Sequence, residues 1–145
     1  MISGAADSES AGRGLSNFHE VARLRANETQ VLTQGGLLLG AVYLAGYVVE
    51  CKLKHLLHLK GIRFPRGGSE GHNLRGLWLA AGFPAARGHA ALFLDHWGTE
   101  LRYETELPKG VDPHDLLAGG RELAQWVTTR IRQAGSNRFR SRGVR

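Results

Sequence analysis

The sequence predicts an all-α bundle of four or five helices, and three observations carry that expectation. Apolar residues recur at steps of three and four through most of the chain. No segment alternates apolar and polar residues with the period of a half-buried strand. Turn-forming residues, at Gly35-Gly36, between Pro65 and Gly71, at Gly82-Phe83-Pro84 and from Pro108 to Gly110, divide the apolar stretches into helix-sized pieces.

Taken in order, residues 1–15 are small, polar and rich in Gly, with too little apolar surface to offset the entropy of ordering, and are expected to be disordered. Ser16 and Asn17 then offer capping oxygens, Glu20 follows three residues after Asn17, and Phe18, Val21, Leu24, Val31 and Leu32 return at helical spacing. That predicts a first helix over 17–34. After Gly35-Gly36, a run of 13 apolar or small residues from Leu37 to Val49 leads into a charged, amphipathic continuation that ends at Leu59. The run is too short to span a bilayer, so it is expected to be a buried core helix.

Within this second helix Ala41 and Ala45 lie one turn apart, where another backbone can approach closely. A tightly crossed helix pair or a dimer seam would use them. Tyr43, Tyr47, Glu50 and Lys54 follow at steps of four, three and four and share one stripe, beside an apolar stripe of Leu38, Val42, Val49, Leu53 and Leu56. Two phenols, a carboxylate and an amine on a core helix must find partners, because unpaired burial costs about 1–3 kcal/mol per group. His72-Asn73 opens a short helical segment with Leu74, Leu77 and Trp78 on one side. A fourth helix is predicted over about 85–102, with Ala90, Phe93, Leu94, Trp97 and Leu101 inside. Asp112 as cap, Pro113 at the first helical position and Asp115 behind it start a last helix. Leu116, Leu123, Trp126, Val127 and Ile131 carry it to about residue 134, and the three Trp residues are read as core.

A chain of 145 residues, 42% hydrophobic and 22% charged, is expected to form one domain, burying roughly two-thirds of its unfolded surface without disulfides or a structural metal. The lone Cys51 has no internal partner. With no basic-then-apolar leader, a reducing cytoplasm is the expected compartment, with no membrane association. The net charge of +6 is carried entirely by Arg130, Arg132, Arg138, Arg140, Arg142 and Arg145, all beyond the last acid, Glu122. The predicted organisation is therefore a disordered segment 1–15, a helical bundle 16–134 and an Arg-rich flexible tail 135–145. Arg138, Arg140, Arg142 and Arg145 are candidate nucleic-acid contacts that neutralise phosphates. The alternative is a merely solubilising tail.

Three pieces of the chain, in their order and spacing, resemble the HEPN domain family. They are Tyr43 to Lys54, then Gly71-His72-Asn73-Leu74 with Leu77, then Arg102-Tyr103 after Trp97, within a region of roughly 20–130. The resemblance implies a helical bundle, commonly a homodimer, found in prokaryotic toxin–antitoxin and antiviral defence modules and often accompanying a minimal nucleotidyltransferase. Some such proteins are metal-independent ribonucleases whose dimer interface presents an Arg followed a few residues later by a His; others bind nucleotides or RNA without catalysis. Here Arg66 precedes His72, within a Gly-rich loop, and Arg102 is the Arg better placed on a helix.

Cleavage of RNA without a metal needs a base for the 2′-hydroxyl, a cation for the phosphorane and an acid for the leaving oxygen. His72 fits the base or acid, Arg66 or Arg102 the phosphate clamp, and Glu50 a carboxylate that orients His72. Tyr47, Lys54 and Tyr103 are candidate ligand-binding residues. Glu50, His72, Arg102 and Tyr103 also read as a satisfied polar network pinning the second helix to its neighbours. Cys51, His55 and His58 have a spacing that could suit a metal, but no fourth ligand is evident and no metal or other cofactor is expected. The run Arg66-Gly67-Gly68-Ser69-Glu70-Gly71 lacks the Lys-Ser/Thr ending of a phosphate loop. The expectation is a dimeric module that binds RNA, nucleotide or a nucleotidyltransferase partner; the alternatives are a metal-independent endoribonuclease and a structural subunit of a larger complex.

Overall fold

The computed structural model describes residues 17–65 and 67–143, the last six by backbone alone. Its elements are α1 (Phe18–Gln34), α2 (Leu38–Leu59), the single turn α3 (Gly68–Gly71), α4 (Leu74–Ala80), α5 (Gly88–His96), a 3-10 turn (Thr99–Tyr103) and α6 (Pro113–Gly143). The chain is all-α, with no strand among the described residues. Among these residues no helix is long and apolar enough to cross a membrane.

The central element is α2, which packs against α1, α4, α6 and the 3-10 turn, while α5 lies against α6. The core collects Val42, Val49, Leu53, Leu56 and Leu57 of α2 with Leu74, Leu77 and Trp78 of α4, Phe93 and Leu94 of α5, Trp97, and Leu116, Leu123 and Val127 of α6. In contrast, α1 buries only Ala22 fully and leaves Leu24 and Val31 exposed, so two of the residues that define its periodicity face solvent. Its substantial packing is against α2, from which Gly35 and Gly36 separate it; Gly36 has φ of 75°, a conformation that glycine adopts without a steric cost.

Two close approaches explain glycines inside helices, where each costs about 0.5–1 kcal/mol relative to Ala. A Cβ on Gly46 would stand 1.8 Å from the Trp97 indole, which lies directly on the α2 backbone and donates from Nε1 to the Tyr43 carbonyl at 3.0 Å. A Cβ on Gly119 would stand 2.0 Å from the His89 carbonyl oxygen, so the first turn of α5 seats on the backbone of α6.

The element boundaries differ from the expectation in four places. The helix predicted over about 85–102 is α5 followed by a separate 3-10 turn, because the backbone goes extended at Trp97 and Gly98. Trp97 can then drop onto Gly46. The Gly-rich loop contains the turn α3. Asn17 makes no side-chain cap to α1, whereas Asn73 caps α4 by accepting from the Gly76 N–H at 3.1 Å and Asp112 accepts from the His114 N–H at 2.8 Å. Finally, α6 continues to Gly143, so the backbone of 135–143, set apart from the sequence as a tail, is helical. The segment 1–15 lies outside the described residues.

Candidate functional site

The polar stripe of α2 finds its partners on α2 itself, at His72 and on the 3-10 turn. Glu50 is buried, at 4% exposure, and divides its carboxylate between two groups: Oε1 lies 2.6 Å from His72 Nδ1, and Oε2 accepts from Lys54 Nζ at 3.4 Å. His72 directly follows α3, and its position depends on the turn that the glycines of the loop allow. A carboxylate oxygen accepts from Nδ1–H, and in the tautomer that this contact selects Nε2 is the accepting nitrogen. The ring is one-third exposed while its carboxylate partner is buried. Lys54 is buried as well, its Nζ 5.7 Å from the Phe18 ring centroid, so α1 roofs this end of the stripe.

One turn back along α2, Tyr43 and Tyr47 meet edge to face, with their hydroxyl oxygens 3.1 Å apart. The Tyr47 ring also lies edge-on to His72, centroids 6.0 Å apart, and to Trp97, at 5.5 Å. Burial, the hydrogen bond with Tyr43 and the nearby Glu50 charge raise the Tyr47 hydroxyl well above the ordinary phenol range, against the opposing pull of Arg102. Tyr47 therefore stays a neutral phenol able to donate a hydrogen bond. Arg102, on the 3-10 turn, is fully exposed and stands beside the Tyr43 and Tyr47 phenols, its guanidinium carbon 4.8 Å from the centroid of Tyr103. Tyr103 is 79% exposed.

Of the residues singled out from the sequence, the structure thus gathers Tyr47, Glu50, Lys54 and His72 in one constellation and sets Arg102 and Tyr103 on its rim. Arg66 and Arg145 lie outside the described residues, and so do the side chains of Arg138, Arg140 and Arg142. Cys51 is buried, and desolvation with the neighbouring Glu50 charge pushes its thiol up to about 11, so it is no ready nucleophile. Cys51, His55 and His58 do not converge: among the described residues no group of three or more His, Cys, Asp or Glu could hold a metal. Trp78 and Trp97 are core residues, but Trp126 is half exposed and lines a cavity beside Trp78 and Pro84.

Sequence reasoning missed the part played by Trp97, whose indole joins α2 to the segment carrying Arg102. The available signal was Gly46, a glycine inside an otherwise apolar helix. Chemically, the site offers a carboxylate-oriented imidazole with one accepting nitrogen, a neutral phenol and an exposed guanidinium beside an exposed aromatic ring. These groups suit a phosphate and an attached base. Comparison with protein-family models, with curated proteins and with solved structures gives no match to this chain.

Proposed function

We propose that this chain is a HEPN-like helical module that binds RNA or a nucleotide at the face formed by Tyr47, His72, Arg102 and Tyr103. It would work as a homodimer, alone or beside a nucleotidyltransferase, in a toxin–antitoxin or defence setting. The observation that carries the binding reading is the placement of an exposed Arg102 guanidinium against Tyr103 at the rim of the Tyr47–His72 constellation. A phosphate can be clamped there while a base stacks on the phenol ring. The setting and the dimer rest on the resemblance of the three sequence pieces.

A second reading, a metal-independent endoribonuclease, is favoured by one contact, the 2.6 Å approach of His72 Nδ1 to Glu50 Oε1. A buried carboxylate that orients an imidazole leaves Nε2 to take a proton from a 2′-hydroxyl or return one to a leaving oxygen.

A single experiment separates the two. Labelled single-stranded RNA and total RNA are incubated in EDTA with the parent chain, His72→Ala, Arg102→Ala and Glu50→Gln, with binding read by anisotropy and cutting on a denaturing gel. The binding reading expects retained RNA, intact in every lane, with affinity lowered about tenfold by Arg102→Ala, the equivalent of one charge-assisted hydrogen bond. Cutting by the parent that disappears in His72→Ala and falls in Glu50→Gln would replace it with the ribonuclease. Folded parent protein that neither binds nor cuts RNA or mononucleotides would overturn both.

A further inference from the structure

On a different face of α2, away from the polar stripe, α1 and α6 diverge and leave a cavity of about 510 Å³ floored by α2. Its apolar floor is Ala45 and Val48 of α2 with Leu117 and Ala124 of α6. Its walls carry hydroxyl and amide groups, among them Thr29 and Thr33 of α1 and Gln125 of α6, and two cations, Lys52 and Arg121. No Asp or Glu lines it. Both wall threonines of α1 already donate to their own helix, Thr29 to the Arg25 carbonyl and Thr33 to the Thr29 carbonyl. Their hydroxyls are thereby already engaged within α1.

Lys52 is the unusual member. It is half-buried, its ammonium donates to Thr128 Oγ1 at 2.8 Å, and among the described residues no carboxylate pairs with it. Thr128 in turn donates to the Ala124 carbonyl, so the hydroxyl that meets Lys52 is itself held in place. Burial, together with the nearby Arg132 charge, lowers the Lys52 pKa, as expected for a cation short of an anionic neighbour. An incoming anion would offset both by pairing its charge with the ammonium. A cavity of this size with an apolar floor, hydrogen-bonding walls and one half-buried cation has the parts of a small-molecule site.

We infer that the α1–α2–α6 cavity is a binding site for an amphipathic monoanion, a carboxylate on an apolar body such as a medium-chain fatty acid, with the carboxylate on Lys52 and the apolar body on Ala45, Val48, Leu117 and Ala124. Of the two cations Arg121 is exposed, so the half-buried Lys52 ammonium, flanked by a fixed hydroxyl, is the one that matches a single buried negative charge. The site shares no residue with the RNA-binding face and stands whether or not that reading holds.

The test titrates the full chain with laurate, below the concentration at which it forms micelles, by calorimetry and by thermal unfolding. Dodecanol and inorganic phosphate serve as controls that keep only the tail or only an anion. Lys52→Met removes the charge and Ala26→Leu narrows the cavity from the exposed side of α1. The expected result is saturable laurate binding that raises the unfolding temperature, at least about tenfold weaker in Lys52→Met and with dodecanol, as for loss of one charge-assisted contact. Ala26→Leu, a surface change to a good helix former, is expected to weaken binding while leaving the unliganded protein as stable as the parent. Absence of laurate binding by the folded parent would overturn the inference, and so would equal binding of laurate and dodecanol, or equal affinity in Lys52→Met. A shift in oligomeric state on Ala26→Leu without any laurate binding would overturn it in favour of a second copy as the occupant.

Discussion

His55 and His72 are both held against α2, in opposite surroundings. His72 gives Nδ1 to a buried carboxylate and keeps one edge in water. His55, on α2 itself, has a buried Nδ1 with no hydrogen-bond partner among the described residues, and its ring packs 5.3 Å from that of His19 on α1. Desolvation, with His19, His58 and Lys52 nearby, lowers the His55 pKa below its ordinary value of 6.5. The unfolded chain therefore takes up a proton there more readily than the native one. The stability that comes from keeping His55 neutral is present above that ordinary value and is lost as the pH falls through it towards the lower native value. Denaturant titrations across pH 7 to 5 are expected to show the parent weakening faster than His55→Leu. Parallel pH profiles would contradict this. From the sequence, Glu50 and His72 were legible because a carboxylate on an apolar helix must be matched. The solitary state of the His55 nitrogen was not, since it depends on how α1 is laid over α2.

At the level of elements, the sequence revealed helices where periodicity and caps agree and misplaced ends where packing decides. The start of α6 followed from Asp112 and Pro113, and α2 from its long apolar run. The break at Trp97-Gly98 did not, because Ala90, Phe93, Leu94, Trp97 and Leu101 keep a helical rhythm straight through it. Where the chain leaves the helix the indole lies on Gly46, and that contact, with the indole's hydrogen bond to the Tyr43 carbonyl, joins α2 to the segment carrying Arg102. Gly46→Ala is accordingly expected to destabilise the protein by about 3 kcal/mol, the upper end of ordinary overpacking, since the clash is with a large ring lying on backbone. It should lower the melting temperature by about 10 °C. Retention of the parental melting temperature would mean that Trp97 sits elsewhere.

Across the whole molecule, charge and mass are arranged separately. The basic and acidic residues of 1–129 balance, while the surplus arginines fall on the far part of α6 and beyond it. At about 1.5 Å per residue the 31 residues of α6 run roughly 46 Å, against roughly 33 Å for the 22 of α2. The surplus arginines thus lie in the second half of a helix roughly 13 Å longer than α2, and beyond it. If this basic end neutralises phosphates, deleting 135–145 should weaken RNA binding most at low salt. Loss of its four arginines should make the log–log salt dependence shallower by up to about 3. An unchanged slope in the truncated chain would remove the arm from the interface.

The packing of α1 has a kinetic consequence. Because α1 rests mainly on α2 and is joined to it through Gly35 and Gly36, it can swing off without disturbing the contacts of α2 with α6. A helix that rests on one neighbour and buries a single side chain fully opens before the rest of a domain unfolds. Cys51 sits buried on α2 with Arg25 of α1 close enough to influence its thiol. As the single cysteine of the chain, it is a built-in clock: modification by a thiol reagent reports how often this leaf of the structure lifts, and amide exchange along α1 keeps the same time.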